Sequence, residues 1–594
     1  MNGSMSARYS SLMSQEFVFP SVIFILISFS FIGFSSVFLQ VAVIGGIGIL
    51  CVESWQRIRE RKWNLDYIAF LALFTAAFFG EWLSGAVLAF MVSVSAALEL
   101  FGTRRAEKTL RGLFEKIPKE VLMRTAEGTS AKPIQEVVEG EVFVVRTNEM
   151  VPLDASLVSE MALLSESNLT GEMEPIEYRA GRYIKSGCIN LGAAITLKAR
   201  GTFEHSSYRK ILTLVEEGKK NQSPLVRLAE RSNWIFTLVT LAFALGALFF
   251  FHDWERFLAV LVIATPCPLL IAAPVSFLGG LSRAARNGII IKSPGVLEAL
   301  AKTKTLFFDK TGTLTLGEPE LKRIEVLDGF YTEKQVLGIA ASLEWSSLHP
   351  IAKTLVKENS ERGGVSVVVE DFEEKLGEGI SGTIDGKRYR IGKGTASGSE
   401  SGIISELMCE GSLIARFHFD DTLKESVGEL FGYFRTRGYS LGILTGDKRV
   451  NAHRIFGRFA IPIYAECSPD KKSALVTREQ GVGKLVGMVG DGMNDAPALA
   501  LADVGIVFSG TENSASIEAA DVAILGRDAW KIRDAVHIGR RSYQVARQSI
   551  VIGIGLSLIG MVFAFFGFIP PVYGAVLQEV IDVVVIVNAL RSTY

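Results

Sequence analysis

Residues 304–315 read Lys-Thr-Leu-Phe-Phe-Asp-Lys-Thr-Gly-Thr-Leu-Thr, a short apolar run that ends in Asp309 and is followed by closely spaced hydroxyls and a glycine. Two later stretches have the same form. Residues 441–447 are Leu-Gly-Ile-Leu-Thr-Gly-Asp, and residues 484–491 are Lys-Leu-Val-Gly-Met-Val-Gly-Asp. Apolar strands of this kind, with helical connections, imply a parallel sheet buried on both faces. Such sheets bind ligands at the carboxyl ends of their strands, and all three stretches deliver an aspartate to that edge. One such aspartate alone reads equally well as a helix or turn cap. Three converging ones point to chemistry.

A carboxylate can attack the γ-phosphorus of ATP and hold the phosphoryl group as an acyl phosphate. That transfer needs cations and aligned donors around the phosphoryl oxygens. Thr311 and Thr313 supply hydroxyls and backbone N–H groups, and Gly312 permits close approach. Thr445 and Asp447 add a hydroxyl and a turn, and Lys472 is the candidate balancing cation. Asp491 and Asp495, in Gly-Asp-Gly-Met-Asn-Asp, suit Mg2+, a hard ion that prefers oxygen.

Working outward, 594 residues are too many for one core, so several domains are expected. The chain is 49% hydrophobic and only 21% charged, and its apolar residues gather near both ends and around 233–285. That pattern describes a membrane protein with large aqueous domains. With 62 Lys plus Arg against 63 Asp plus Glu, no global field favours nucleic acid. Five cysteines without CxxC spacing fit neither a disulfide framework nor a zinc site.

The ~20-residue criterion gives about eight spans. Two fall within 17–53, turning near Gly33–Ser36, and the Gly45–Gly46 pair is expected to weaken or kink the second. The others are expected at about 66–80, 82–101, 233–252, 257–283, 544–567 and 573–591. The first apolar stretch reads as a span rather than a cleavable signal, because another span follows it. A basic cluster at Arg57, Arg59, Arg61 and Lys62 marks a cytoplasmic end. Residues 140–200 alternate apolar and polar positions between glycine-containing turns, so that insert reads as β-rich.

With these residues in place, the sequence closely resembles the P-type ATPases. Asp-Lys-Thr-Gly-Thr-Leu-Thr at 309–315 matches that family's phosphorylation signature, and Thr-Gly-Asp at 445–447 and Gly-Asp-Gly-Met-Asn-Asp-Ala-Pro at 490–497 match its hinge motifs. The resemblance implies that Asp309 is phosphorylated, that Asp309, Thr311 and Asp491 hold Mg2+, and that Lys472 contacts the phosphate. Lys310 and Thr311 join the implied nucleotide-binding set. Thr170-Gly171-Glu172 matches the dephosphorylation loop, where Glu172 would position water. Ser-Leu-His-Pro-Ile-Ala at 347–352 resembles the nucleotide-domain signature of the heavy-metal branch. His349, Glu344 and the loop carrying Gly377, Gly379 and Gly382 would then line the adenine site. The chain departs from the pattern at Lys424, where Arg is common, and at Lys393, where Asn is frequent. Lys lacks the guanidinium fork, so hydrogen bonding near the phosphate is expected to differ at Lys424.

The implied architecture is a polytopic α-helical membrane domain with three cytoplasmic domains. Residues 1–102 form four spans, 103–230 a β-rich actuator domain, and 231–285 two spans. Residues 286–319 and 419–540 form a HAD-like α/β phosphorylation domain around an α+β nucleotide-binding domain at 320–418. Residues 541–594 form the last two spans.

Within the sixth span, Ala264-Thr265-Pro266-Cys267-Pro268 places two prolines at bilayer depth. They remove backbone donors and break the helix, which is tolerated where backbone lines a site. The last span carries Gln578, Glu579 and Asp582, with Gln578 and Asp582 on one helical face. Acids within a span are functional by default. Thr-Pro-Cys with Gln-Glu-x-x-Asp resembles a subgroup of heavy-metal pumps associated with Ni2+, Co2+ or Fe2+. Ser549 and Ser557 stand where copper pumps tend to have Asn and zinc pumps a Lys. Cys267, Thr265, Gln578, Glu579 and Asp582 are the candidate ligands of the transported metal, and a mixed sulfur–oxygen set favours a borderline divalent ion. Glu99 and Glu230 are candidates for the cytoplasmic mouth.

These features together predict an ATP-driven exporter of a transition-metal cation in a prokaryotic plasma membrane, using ATP and Mg2+. A monomer suffices for such a cycle, and a cytosolic metal donor is the candidate soluble partner. Zinc or cadmium export is the nearest alternative. A membrane-anchored HAD phosphohydrolase without transport belongs to a different class.

Overall fold

The computed structural model describes residues 18–31, 36–59, 67–115, 118–125, 128–166, 175–209, 213, 223–264, 267–347, 349–365, 367–375, 379–394, 403–490, 495–508 and 520–594. The chain divides into two compact units, one of residues 1–162, 178–302 and 535–594, the other of residues 163–177 and 303–534.

The first unit holds long apolar helices. In chain order they are α1 (Val18–Phe31), α2 (Val37–Arg59), α3 (Tyr67–Phe79), α4 (Trp82–Glu115), α5 (Pro224–Phe251), α6 (Trp254–Ile263), α7 (Cys267–Arg286), α8 (Lys531–Phe565) and α9 (Pro571–Leu590). Among the described residues, stretches of α4, α5, α8 and α9 are each long and apolar enough to cross a membrane alone. α1, α2 and α3 contribute shorter apolar helices. α6 and α7 together occupy the expected sixth span, α6 ending at Ile263 and α7 beginning at Cys267. α5 and α6 are joined by a tight turn, in which His252 adopts a left-handed conformation and Asp253 caps α6 through the N–H groups of Glu255 and Arg256.

One expectation fails here. α2 runs as one helix through Gly45–Gly46. Gly46 serves close helix contact instead, because a Cβ there would meet that of Ala89 on α4 at 2.6 Å. Gly85 of α4 approaches Val43 of α2 in the same way, at 2.9 Å. Without a hydrophobic drive between helices in lipid, small residues of this kind let backbones pack closely. Large apolar side chains such as Phe249, Phe250 and Val551 face outward, as lipid-facing residues do.

The same unit contains a six-stranded antiparallel sheet in the spatial order 128–133, 120–125, 142–145, 195–199, 155–157, 183–184. Phe143, Leu153 and Leu197 fill its core. Four of its strands lie in the alternating stretch read between 140 and 200, and strands 161–165, 175–179 and 189–190 of that stretch form a separate three-stranded sheet.

In the second unit, six parallel strands are β1 (Thr305–Asp309), β2 (Ser440–Leu444), β3 (Ile463–Tyr464), β4 (Val486–Gly490), β5 (Val504–Phe508) and β6 (Val522–Ile524). They lie in the order β6-β5-β4-β1-β2-β3. β1 is flanked by β2 and β4, so the winding reverses beside it, and that switch point is where open α/β sheets bind ligands. β1, β4 and β5 are buried along their whole length.

A second, antiparallel sheet in this unit runs in the order 315–326, 412–423, 403–409, 387–393, 379–384, 370–375. Helices Glu333–Leu343 and Pro350–Glu361 cover one face, closing a core around Leu337, Leu355, Ile391 and Phe417. The first helix starts in a capping box between Thr332 and Gln335.

Candidate active site and ion site

β1 ends at Asp309, opposite Leu444 of β2, while Phe308 pairs with Val489 of β4. This register sets Asp309, Thr445 and the end of β4 at Gly490 along one sheet edge. Asp309 is 5% exposed. Its Oδ2 accepts from the backbone N–H of Thr311 at 2.9 Å, and Gly312, at φ +67°, turns the chain back beneath it. Lys472, also buried, donates to Asp309 Oδ1 at 2.5 Å and to Asp495 Oδ1 at 2.6 Å. Burial alone would push the Lys472 ammonium down, but the two carboxylates outweigh it and hold it above its usual range. Gly490 makes this possible, because a Cβ there would lie 2.8 Å from Asp495 Oδ2.

Lys310 is clasped by Asp421 and Asp447, the latter at 2.7 Å. It too is held above its usual range, the two carboxylates overcoming burial. Thr445 Oγ1 accepts from the N–H of Asp447 at 3.1 Å, so its role here is to shape the turn. Lys424 donates to the carbonyl of Gly312 at 3.1 Å and lies 4.0 Å from the centre of the Phe508 ring. One ammonium thus fixes the loop after Asp309 without a guanidinium fork. Two buried oxygens at this edge, Asp495 Oδ2 and Thr313 Oγ1, have no hydrogen-bond partner among the described residues. Carboxylate and hydroxyl oxygens with unsatisfied capacity fit Mg2+, and the Lys472 ammonium beside them fits a phosphoryl group.

In the antiparallel domain, His349 caps the helix Pro350–Glu361, its Nδ1 accepting from the N–H of Ile351 at 3.2 Å. That bond leaves the proton on Nε2 when the ring is neutral. Glu344 is buried in the preceding turn. Burial, then repulsion from Glu374, raises its pKa to about 7 against a hydrogen bond from Ser347. Gly379 sits at φ +123°, and a Cβ there would fall 2.2 Å from the carbonyl oxygen of Ile391. Gly382 makes room for Val369 and Leu343, a packing role.

In the membrane helices, Gln578 and Asp582 lie on one buried face of α9, with Nε2 of Gln578 donating to Asp582 Oδ1 at 3.0 Å. Ser557 of α8 donates to Gln578 Oε1 at 3.5 Å, and Ser95 of α4 donates to Asp582 Oδ2 at 3.3 Å. Glu579 is partly buried, and its Oε2 has no hydrogen-bond partner among the described residues. Ser549 accepts from Asn588 at 2.8 Å. Cys267 opens α7, Glu99 lies on α4 and Glu230 on α5. Their side chains fall outside the described residues, as do Thr265, Glu172, Gly377 and Asp491.

Two site residues had no local signal strong enough to find them. Asp421 is 111 residues from its partner Lys310, and Ser95 is 487 from Asp582. Ser95 stands one helical turn before Glu99 on the same face, which was the available hint.

A family profile for the P-type ATPase actuator domain matches residues 115–216, and one for haloacid dehalogenase-like hydrolases matches residues 303–503. The chain is 30% identical over 545 residues to the copper-exporting P-type ATPase of Legionella pneumophila, covering 86% of this chain and 74% of that one. The chain belongs to the heavy-metal branch of the P-type ATPases. This P-type ATPase is also 29% identical over 580 residues to the zinc-transporting ATPase of Bacillus subtilis, covering 93% of this chain and 91% of the relative. It is 28% identical over 587 residues to the probable cadmium-transporting ATPase of Alkalihalophilus pseudofirmus, covering 93% and 81%. A solved zinc-transporting PIB-type ATPase in its E2.Pi state superposes with a TM-score of 0.65 at 25% identity, over 98% of this chain and 100% of that one. The ATPase is thus a multi-pass membrane exporter that couples hydrolysis of ATP, with Mg2+, to movement of a heavy-metal cation.

Proposed function

We propose that this ATPase exports a divalent transition metal such as nickel, cobalt or iron(II), with Cys267, Gln578, Glu579 and Asp582 as its membrane ligands and Thr265 beside them. The observation that carries this reading is the buried Gln578–Asp582 pair on α9, in a chain whose sixth span has one helix ending at Ile263 and another beginning at Cys267. One thiolate with two carboxylates makes a harder site than paired thiolates, which favours borderline divalent ions over Cu+. Metal arrives from the cytoplasm, free or from a cytosolic donor, by way of Glu99 and Glu230.

In the catalytic step Asp309 attacks the γ-phosphorus. A bond forms from its carboxylate oxygen to phosphorus, and the bond from phosphorus to the ADP oxygen breaks. The Lys472 ammonium 2.5 Å from Asp309 balances the gathering charge, and Lys310 and Lys424 hold the loop in place. Asp309, Thr311 and Asp491 would hold Mg2+, which supplies further neutralisation of the phosphoryl oxygens. Glu344, His349 and the 377–382 loop take the adenine end. Glu172 positions the water that later cleaves the acyl phosphate and returns Asp309 as a free carboxylate.

A second reading, zinc or cadmium export, is favoured by relatives named as zinc- and cadmium-transporting ATPases. ATPase activity of the purified chain, titrated with Ni2+, Co2+, Fe2+, Zn2+, Cd2+ and Cu+, separates the two. We expect the strongest stimulation among the first three, and loss of it in Cys267→Ala. Strongest stimulation by Zn2+ or Cd2+ would select the second reading. Asp309→Asn is expected to abolish acid-stable 32P labelling from ATP, and undiminished label would overturn the phosphorylation assignment.

A further inference from the structure

Asp582 has neutral donors on both carboxylate oxygens, Gln578 on Oδ1 and Ser95 on Oδ2. The surroundings are dry: Ser95 is 7% exposed, and Gln578 and Asp582 are 2% each. A carboxylate at such depth is expensive to leave unpartnered. Here hydroxyl and amide dipoles fill positions that a cation would otherwise take. The two donors differ in where they are anchored. Gln578 is on the same helix as Asp582, one turn away, and moves with it. Ser95 belongs to α4, which continues to Glu115, five residues before the first strand of the β-rich domain at Glu120.

We propose that Ser95 is a positioning residue for ion release, its hydroxyl taking over Asp582 Oδ2 as the cation leaves. The proposal rests on the reading of Asp582 as an ion ligand. A donor that stabilises the ion-free carboxylate lowers metal affinity in whichever state makes the contact, since a ligand's affinity reports the difference between bound and free forms. Because Ser95 rides on the helix leading to the β-rich domain, movement of that domain sets whether the contact is made. A residue that merely ligated the metal, or merely packed, would act with the opposite sign or with none.

The test is Ser95→Ala in the full purified chain, assayed by ATPase stimulation with Ni2+, Co2+, Fe2+ and Zn2+ in turn. Loss of one long hydrogen bond to a charged acceptor is expected to lower the half-saturating metal concentration about fivefold. Maximal turnover is expected to fall with it, because release slows. Ser95→Thr, which keeps the hydroxyl, should restore both values. Ser93→Ala is the control, since the Ser93 hydroxyl bonds the Ala89 carbonyl of its own helix, at 3.0 Å. It should titrate like the parent. An unchanged or raised half-saturating concentration in Ser95→Ala overturns the proposal, as does failure of Ser95→Thr to restore it. Asp582→Asn distinguishes the deeper failure. If it keeps the parental metal titration, the ion-ligand reading itself falls. If it loses metal stimulation while Ser95→Ala matches the parent, only the Ser95 inference falls.

Discussion

Glu344 is an acid tuned to titrate near neutrality. Its pKa of about 7 stands above the ordinary 4.5 because burial, and then Glu374, penalise the charged form. The sign of the consequence follows from proton counting. Between about pH 4.5 and 7 the folded chain holds a proton there that the unfolded chain has released. Stability from this group is therefore full at low pH, falls as pH rises through that window, and levels off above 7. The loss is on the order of 3 kcal/mol. Glu344→Gln should remove it. Thermal midpoints measured from pH 5 to 8 are expected to show the variant gaining on the parent as pH rises, and a pH-independent gap between them would refute this. Glu344 and His349 could be named as candidates from the sequence because the histidine–proline pair and the acid lie within one short segment. Ser95 was not, because its meaning depends on a contact between two spans at opposite ends of the chain.

At the scale of elements, the antiparallel sheet of the second unit has positive-φ glycines at the two ends of one strand, Gly379 at its start and Gly386 in the turn that follows it. Asp385 and Gly386, at φ +50° and +75°, form the two-residue turn between strands 379–384 and 387–393. This is the geometry that right-twisted hairpins prefer. Nothing lies within 4 Å of a Cβ built on Gly386, so Gly386→Ala should cost only about 1 kcal/mol of backbone strain. A Cβ on Gly379 would meet backbone atoms of Ile391 and Gly392 at 2.2 and 2.6 Å. Gly379→Ala has to push neighbouring strands apart, and a loss above about 3 kcal/mol is expected. Thermal midpoint and nucleotide half-saturation should both worsen in Gly379→Ala, whereas Gly386→Ala should keep parental nucleotide half-saturation. The parallel strands were readable because each is an apolar run ending in a polar turn. The continuity of α2 was not, since Gly45–Gly46 reads as a breaker until Ala89 is known to press against it.

For the whole molecule, the sequence pattern allowed the alternation of apolar spans and aqueous domains to be read, because lipid and water impose such different compositions. The clasp of Lys310 by Asp421 and Asp447 lay beyond it, since only folding brings those loops together. α4 carries a consequence of its own. Its 34 residues, at 1.5 Å each, make a rod of about 51 Å against a hydrocarbon core of about 30 Å. About 20 Å of helix therefore extends beyond the hydrocarbon, a continuous element by which movement at its tip can be passed to the bilayer. A flexible joint in that helix, such as Gly-Gly inserted between Lys108 and Thr109, should disconnect the engine from the wheels. ATP turnover is expected to persist, while metal accumulation in sealed vesicles falls at least tenfold. Parental accumulation would mean that force travels by another route.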